Sequence, residues 1–195
     1  MYNRFLGSPR NVRVGVGLVA GMLLLFMASH HAGAGRTRPS PELRPESAVA
    51  GRIETAFGAT CETLLIREIA AARTSIHMAI YSFTRRNIAQ ALMDAARRGV
   101  SVEIKYDQTS ADWKGMADIL HRLQKSGIPL IPVTFTRADQ KMHHKFTIID
   151  QARVLTGSFN YTTAAVTGND ENLILIRAPE VARQFEQEYR RIGNR

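Results

Sequence analysis

The stretch MHHKFTIIDQARVLTGSFN, residues 142–160, decides how this chain is built. MHHKFTIID (142–150) and RVLTG (153–157) are β-branched and apolar runs separated by a few turn residues, a pattern that predicts two strands joined by a tight turn. Side chains two apart on a strand share a face. His143 and Lys145 therefore point one way and His144 the other. Asp150 lies seven residues after His143, the wrong parity to join them, so its expected place is the turn where the strand ends.

Strands and helices alternate on either side of this pair. RIETAFG (52–58) reads as a strand, and CETLLIREIAAARTS (61–75) carries Leu64, Leu65, Ile69 and Ala72 at helical spacing. SIHMAIYSF (75–83) has the length and residues of a strand. Thr84 is the expected N-cap of a helix that closes on Gly99. VSVEIKYD (100–107) is a strand, 112–127 a helix ending at Gly127, and IPLIPVTF (128–135) a short strand. A helical stretch from Ser158, the strand ENLILIR (171–177) and a terminal helix over 179–192 complete the order. Such alternation predicts an α/β fold layered around a largely buried sheet.

The N-terminal end has a different character. Arg4, Arg10 and Arg13 precede VGVGLVAGMLLLFMA (14–28), which is uncharged, and AGA (32–34) follows with small residues. A basic start, a short apolar core and a small-residue exit describe a secretory signal over 1–34. An uncleaved anchor through 14–28 is the alternative, although 15 residues with three glycines fall short of the roughly 20 that span a bilayer. Either reading places the domain outside the cytoplasm, with the periplasm expected. Residues 35–50, with three prolines and almost no large apolar side chain, have linker composition. The folded domain is expected over 51–195.

Hydrophobic residues make up 45% of the chain, enough for a packed core. Net charge is +9, and removing 1–34 leaves +6. That excess favours polyanionic partners such as nucleic acid or anionic lipid. Cys61 is the only cysteine, which excludes an intramolecular disulfide framework and a Cys-rich zinc site.

From His143 the sequence fits H-x-K-x(4)-D, and six residues later Gly157–Asn160 fit G-S-x-N. Starting at His144 fails, because Phe146 falls at the lysine position. The composite pattern is the signature of the phospholipase D superfamily, which this chain resembles. IHMAIYSFT (76–84), RRGVSVEIKYD (97–107), SGIPL (126–130), TGSFNYTTAA (156–165) and NDENLILI (169–176) resemble its small secreted bacterial endonuclease branch, over about Ala56 to Ile192. The resemblance implies an α-β-α sandwich with a mixed sheet and a phosphodiesterase that needs no cofactor or metal. His143 would attack phosphorus to form a phosphohistidine. Lys145 would oppose the non-bridging oxygens. Ser158 and Asn160 would donate to the same phosphate, and Asp150 belongs to the motif. Glu171 matches the position whose carboxylate holds the histidine ring.

The leaving oxygen needs a proton from a second histidine. No other H-x-K occurs and the chain shows no internal repeat, so the resemblance implies a homodimer with the site on its two-fold axis. Arg85, Arg86, Arg137 and Lys141 are candidate substrate cations. Arg85 and Arg86 stand at a helix start, where the dipole disfavours cations, and just past a strand's C-terminal end, where α/β ligands bind. Gly157 would let the backbone approach a phosphate. His144 is expected beside the site or facing the core, and Trp113 and Tyr161, which could stack on bases, are expected as packing. A metal site on His143–His144 is disfavoured because adjacent strand residues diverge. The expected partner is nucleic acid held by its phosphates, and the rival readings are a phospholipid or cardiolipin hydrolase and a non-catalytic DNA-binding protein.

Overall fold

Among the described residues there are seven strands and six helices, largely interleaved. The computed structural model describes residues 52–193, so the expected leader (1–34) and linker (35–50) lie outside the described residues. The order is β1 (Arg52–Phe57), α1 (Thr60–Ala70), β2 (Ser75–Ile80), α2 (Arg86–Arg97), β3 (Ser101–Asp107), α3 (Gln108–Ala111), α4 (Lys114–Lys125), β4 (Leu130–Val133), β5 (Lys145–Ile149), β6 (Arg153–Gly157), α5 (Thr163–Thr167), β7 (Asn172–Arg177) and α6 (Pro179–Arg191). The strands form one sheet in the order β1-β7-β6-β5-β2-β3-β4. β2, β3 and β4 run parallel, whereas β5, β6, β7 and β1 follow as antiparallel neighbours, so the sheet is mixed.

Strand parity builds a core on each face. On β2, Ile76, Met78 and Ile80 pack with Leu65 and Ile69 of α1 and Leu92 of α2. Ala79, pointing the other way, joins Phe146, Ile148 and Val154 under Ala182 and Tyr189 of α6. All five residues of β5 are buried, as expected of a central strand covered on both sides. The α-β-α sandwich anticipated from the sequence is the observed architecture.

Three local expectations are corrected. The strand anticipated from Met142 begins at Lys145, leaving His143 and His144 in the segment that leads into it. The helix anticipated from Ser158 is the single short α5, capped by Thr162, because Tyr161 is first drawn into a bridge with Phe83. Thr84 is not the cap of α2. Arg85 holds that position, and the Thr84 hydroxyl accepts from the Thr163 backbone instead.

Asp150 occupies the β5–β6 turn with φ of 54°. Its carboxylate accepts the backbone N–H groups of Arg73, Thr74 and Ser75 and the Thr74 hydroxyl, and it pairs with Arg153 at 2.5 Å. Burial pushes the carboxyl up, but those donors outweigh it and hold it at about 2, below the usual 3.8. A depressed carboxyl stabilises the fold above its unfolded value and loses that contribution as pH falls from about 4 toward 2. The shift is worth about 2 kcal/mol, so Asp150→Asn should lower the thermal midpoint by roughly 5 °C at neutral pH and little at pH 2. Equal midpoints for both proteins at pH 7, read by circular dichroism, would contradict this role.

Candidate active site

The C-terminal ends of β2 and β3, the N-terminal end of β5, the C-terminal end of β6 and the start of β7 open on one edge of the sheet. Ile80 pairs with Lys145, and the next residue, Tyr81, donates its N–H to the His144 carbonyl at 3.0 Å. The His143–Lys145 segment is thus fastened to the end of β2. A second clamp comes from β3. Asp107, fully buried, accepts the Met142 N–H at 2.8 Å and caps α3 through Ser110 and Thr109.

His143 is exposed, with its ring 4.5 Å from the Tyr81 ring, centroid to centroid. Lys145 is buried, and its Nζ donates to the His143 carbonyl at 3.0 Å. That Nζ stands 3.3 Å from both imidazole nitrogens. An in-plane cation equidistant from both would collide with the carbon between them, so the ammonium lies over the ring and leaves the lone pair open. Burial, the Lys145 charge and the His144 charge hold His143 below the usual histidine range, against the opposing pull of Asp107. Burial also lowers Lys145, with Glu171 opposing. A neutral nitrogen beside a fixed cation suits attack on a phosphate.

Ser158 and Asn160 follow β6 in the loop beside this edge. The Ser158 hydroxyl donates to Glu171 and accepts from the backbone N–H of Asn172 at 3.1 Å. Asn160 Oδ1 is buried without a partner among the described residues. A half-turn of that amide presents its NH2 at the same spot, where an anionic oxygen would satisfy it.

Several anticipated residues stand elsewhere. Asp150 is at the opposite end of β5, about 17 Å from Lys145 along the strand, and shares no contact with the site. Glu171 does not hold the His143 ring of its own chain. Its carboxylate accepts from Ser158 and from Asn169 at 3.1 Å. Arg85 grips Glu62 of α1 with two bonds of 2.9 and 2.7 Å, so it braces α1 against α2 and offers no free cation to a substrate. Arg86 pairs with Asp118 of α4. Arg137 pairs with Asp139 in its own exposed loop. Gly157 serves packing, because a Cβ there would lie 2.3 Å from the Asn172 carbonyl oxygen. Lys141 stays at the site, bonded to Thr109 at 3.0 Å and lining a cavity of about 470 Å³ with His143, His144, Phe135 and Ile192. His144 faces solvent and reaches Glu188 at 3.3 Å rather than the core.

Tyr81 and Asp107 are the site-edge residues that sequence reasoning passed over, while Trp113, expected as packing, is about half exposed at the same edge. Tyr81 follows the last residue of β2 and Asp107 ends β3, which runs parallel to it, the positions where α/β folds gather ligands. Asp107 also precedes Ser110 at the spacing of an N-cap. Those two signals were available; nothing in the sequence marked Trp113 as exposed.

The chain is 34% identical over 137 residues to the mitochondrial cardiolipin hydrolase of Danio rerio, covering 70% of this chain and 56% of that protein. It is 37% identical over 129 residues to a phospholipase D of Rickettsia bellii (strain RML369-C), covering 66% and 62%. The match thus spans little more than half the length of these curated relatives. The crystal structure of Nuc, a phospholipase D family member from Salmonella typhimurium, superposes with a TM-score of 0.69 at 33% identity, over 74% of this chain and 95% of that one. The family described as cardiolipin synthase, PLD-like domain, matches residues 65–192, which include the whole sheet except β1 and the first turn of its opening helix. With His143, Lys145, Ser158 and Asn160 all inside that match, the chain belongs to the phospholipase D superfamily through its PLD-like domain.

Proposed function

We propose that the protein is a phosphodiesterase that cuts nucleic acid without reading sequence, as a homodimer. The observation that carries this reading is the His143–Lys145 pair, a nitrogen of lowered basicity beside a buried ammonium at an open edge. The likeness to Nuc over nearly all of that chain and the net charge of +9 support nucleic acid as the polyanion.

In this mechanism His143 attacks phosphorus, a P–N bond forms and the P–O bond to the leaving sugar oxygen breaks. That oxygen takes a proton from the partner's His143, which starts charged. Water then attacks phosphorus, gives its proton to the partner's His143 and frees the nitrogen. Lys145, Ser158 and Asn160 stabilise the charge on the non-bridging oxygens throughout. The two rings titrate as one coupled pair. Export across a membrane, read from residues 1–34, belongs to the same proposal.

The names of the curated relatives favour a second reading, cleavage of a phospholipid. One assay separates the two: the chain without residues 1–34, and its His143→Ala variant, on plasmid DNA, RNA and cardiolipin vesicles in EDTA. Nicking by the first protein alone is the expected outcome. Cleavage of lipid alone would replace the proposal with the second reading, and binding without turnover by either protein would replace both with a DNA-binding role. Among the described residues no three His, Cys, Asp or Glu side chains gather as a ligand set. The proposed mechanism uses no metal, so activity should persist in EDTA; loss to the chelator with recovery on adding a divalent ion would overturn it.

A further inference from the structure

Trp113 is about half exposed, one of three large hydrophobic residues so exposed among the described residues. The other two, Ile53 and Phe57, lie on β1. Trp113 sits in the short link between α3 and α4, at the N-cap of α4. Its ring meets Tyr81 almost at right angles, 86°, with centroids 5.9 Å apart. Tyr81 in turn lies 4.5 Å from His143. Tyr81 thus touches both rings, which keeps the Trp113 and His143 centroids within about 10 Å of each other, and a perpendicular contact leaves at least one face of the indole free of Tyr81. Lys141, held to Thr109 of α3, places a cation beside the same link.

An indole face kept in water costs hydration free energy that packing would remove, and a lone exposed tryptophan next to a reacting group invites a planar ligand. A phosphate held at His143 puts the base of the adjoining nucleotide within reach of Trp113. We propose that Trp113 is the stacking platform for that base, and that it selects single-stranded over duplex nucleic acid. Bases in a duplex are already stacked on one another and paired, so only an unpaired strand offers a free face. The inference rests on the nuclease reading and names its substrate form.

Trp113 is the only tryptophan in the chain, so its fluorescence reports the contact directly. The His143→Ala protein, which binds without cutting, is titrated with oligothymidylate and with an abasic deoxyribose-phosphate oligomer of equal length. Quenching by the first and none by the second is expected. In the active protein, Trp113→Ala should raise KM for single-stranded DNA about tenfold with kcat changed less than about twofold, and narrow the preference over duplex, while Trp113→Phe restores most of the affinity.

Equal fluorescence response to both oligomers, or an unchanged KM in Trp113→Ala while the parent still cuts DNA, would overturn the stacking role and leave the nuclease reading standing. A parent protein that cuts no nucleic acid, with a blue shift of Trp113 on cardiolipin vesicles, would overturn both at once.

Discussion

Replacing His143 with alanine is expected to cut turnover on nucleic acid by about 10⁴-fold or more, because in the proposed dimer nucleophile and proton donor both come from that position. The residue as a whole is exposed, so the thermal midpoint should move little. A subunit-mixing experiment sharpens the test. If each site needs both copies of His143, equal amounts of parent and His143→Ala chains, allowed to exchange, leave about a quarter of the dimers competent. Activity should then fall as the square of the parent fraction. A linear fall would mean that each chain works alone, and the dimeric mechanism would be lost.

The second large effect is expected at Lys145. Substitution by glutamine keeps a polar head for the His143 carbonyl but removes the cation over the ring. Loss of one preorganised donor to a developing oxyanion typically costs about 10²–10³ in turnover. The pH profile carries a second sign. The Lys145 charge is one of the causes holding His143 below the usual histidine range, after burial. Removing it raises that value, so the acid limb of kcat/KM, where the neutral nucleophile is lost, should move to higher pH. A rate loss with an unmoved acid limb would mean that Lys145 acts on the substrate alone. Steady-state rates over pH 5–8 decide between these outcomes.

Most of the fold was legible because the sheet is central and its strands obey parity. The alternation that turns Lys145 toward the side of α1 and Phe146 toward α6 is written in the spacing of KFTII. The wrong parity of Asp150 likewise foretold its place at a turn. What could not be read were contacts set by distant segments. Arg85 looked available for substrate because Glu62, its partner, lies on another helix 23 residues away. Gly157 looked like a phosphate contact because the Asn172 carbonyl that crowds it belongs to a neighbouring strand. Asp107 went unmarked because its acceptor role toward Met142 exists only once β3 and the segment before β5 lie side by side.

The anchoring of Asp150 gives the four residues between lysine and aspartate in the motif a meaning of their own. Phe146–Ile149 act as a gauge block, cut to the width of the sheet from its open edge to its fastened one. Deleting one of them would turn the lysine onto the opposite face and pull the carboxylate off its three backbone donors in a single stroke. The interval is therefore as much a requirement as the residues that bound it, and tolerated changes within it will be exchanges of side chain, never of length.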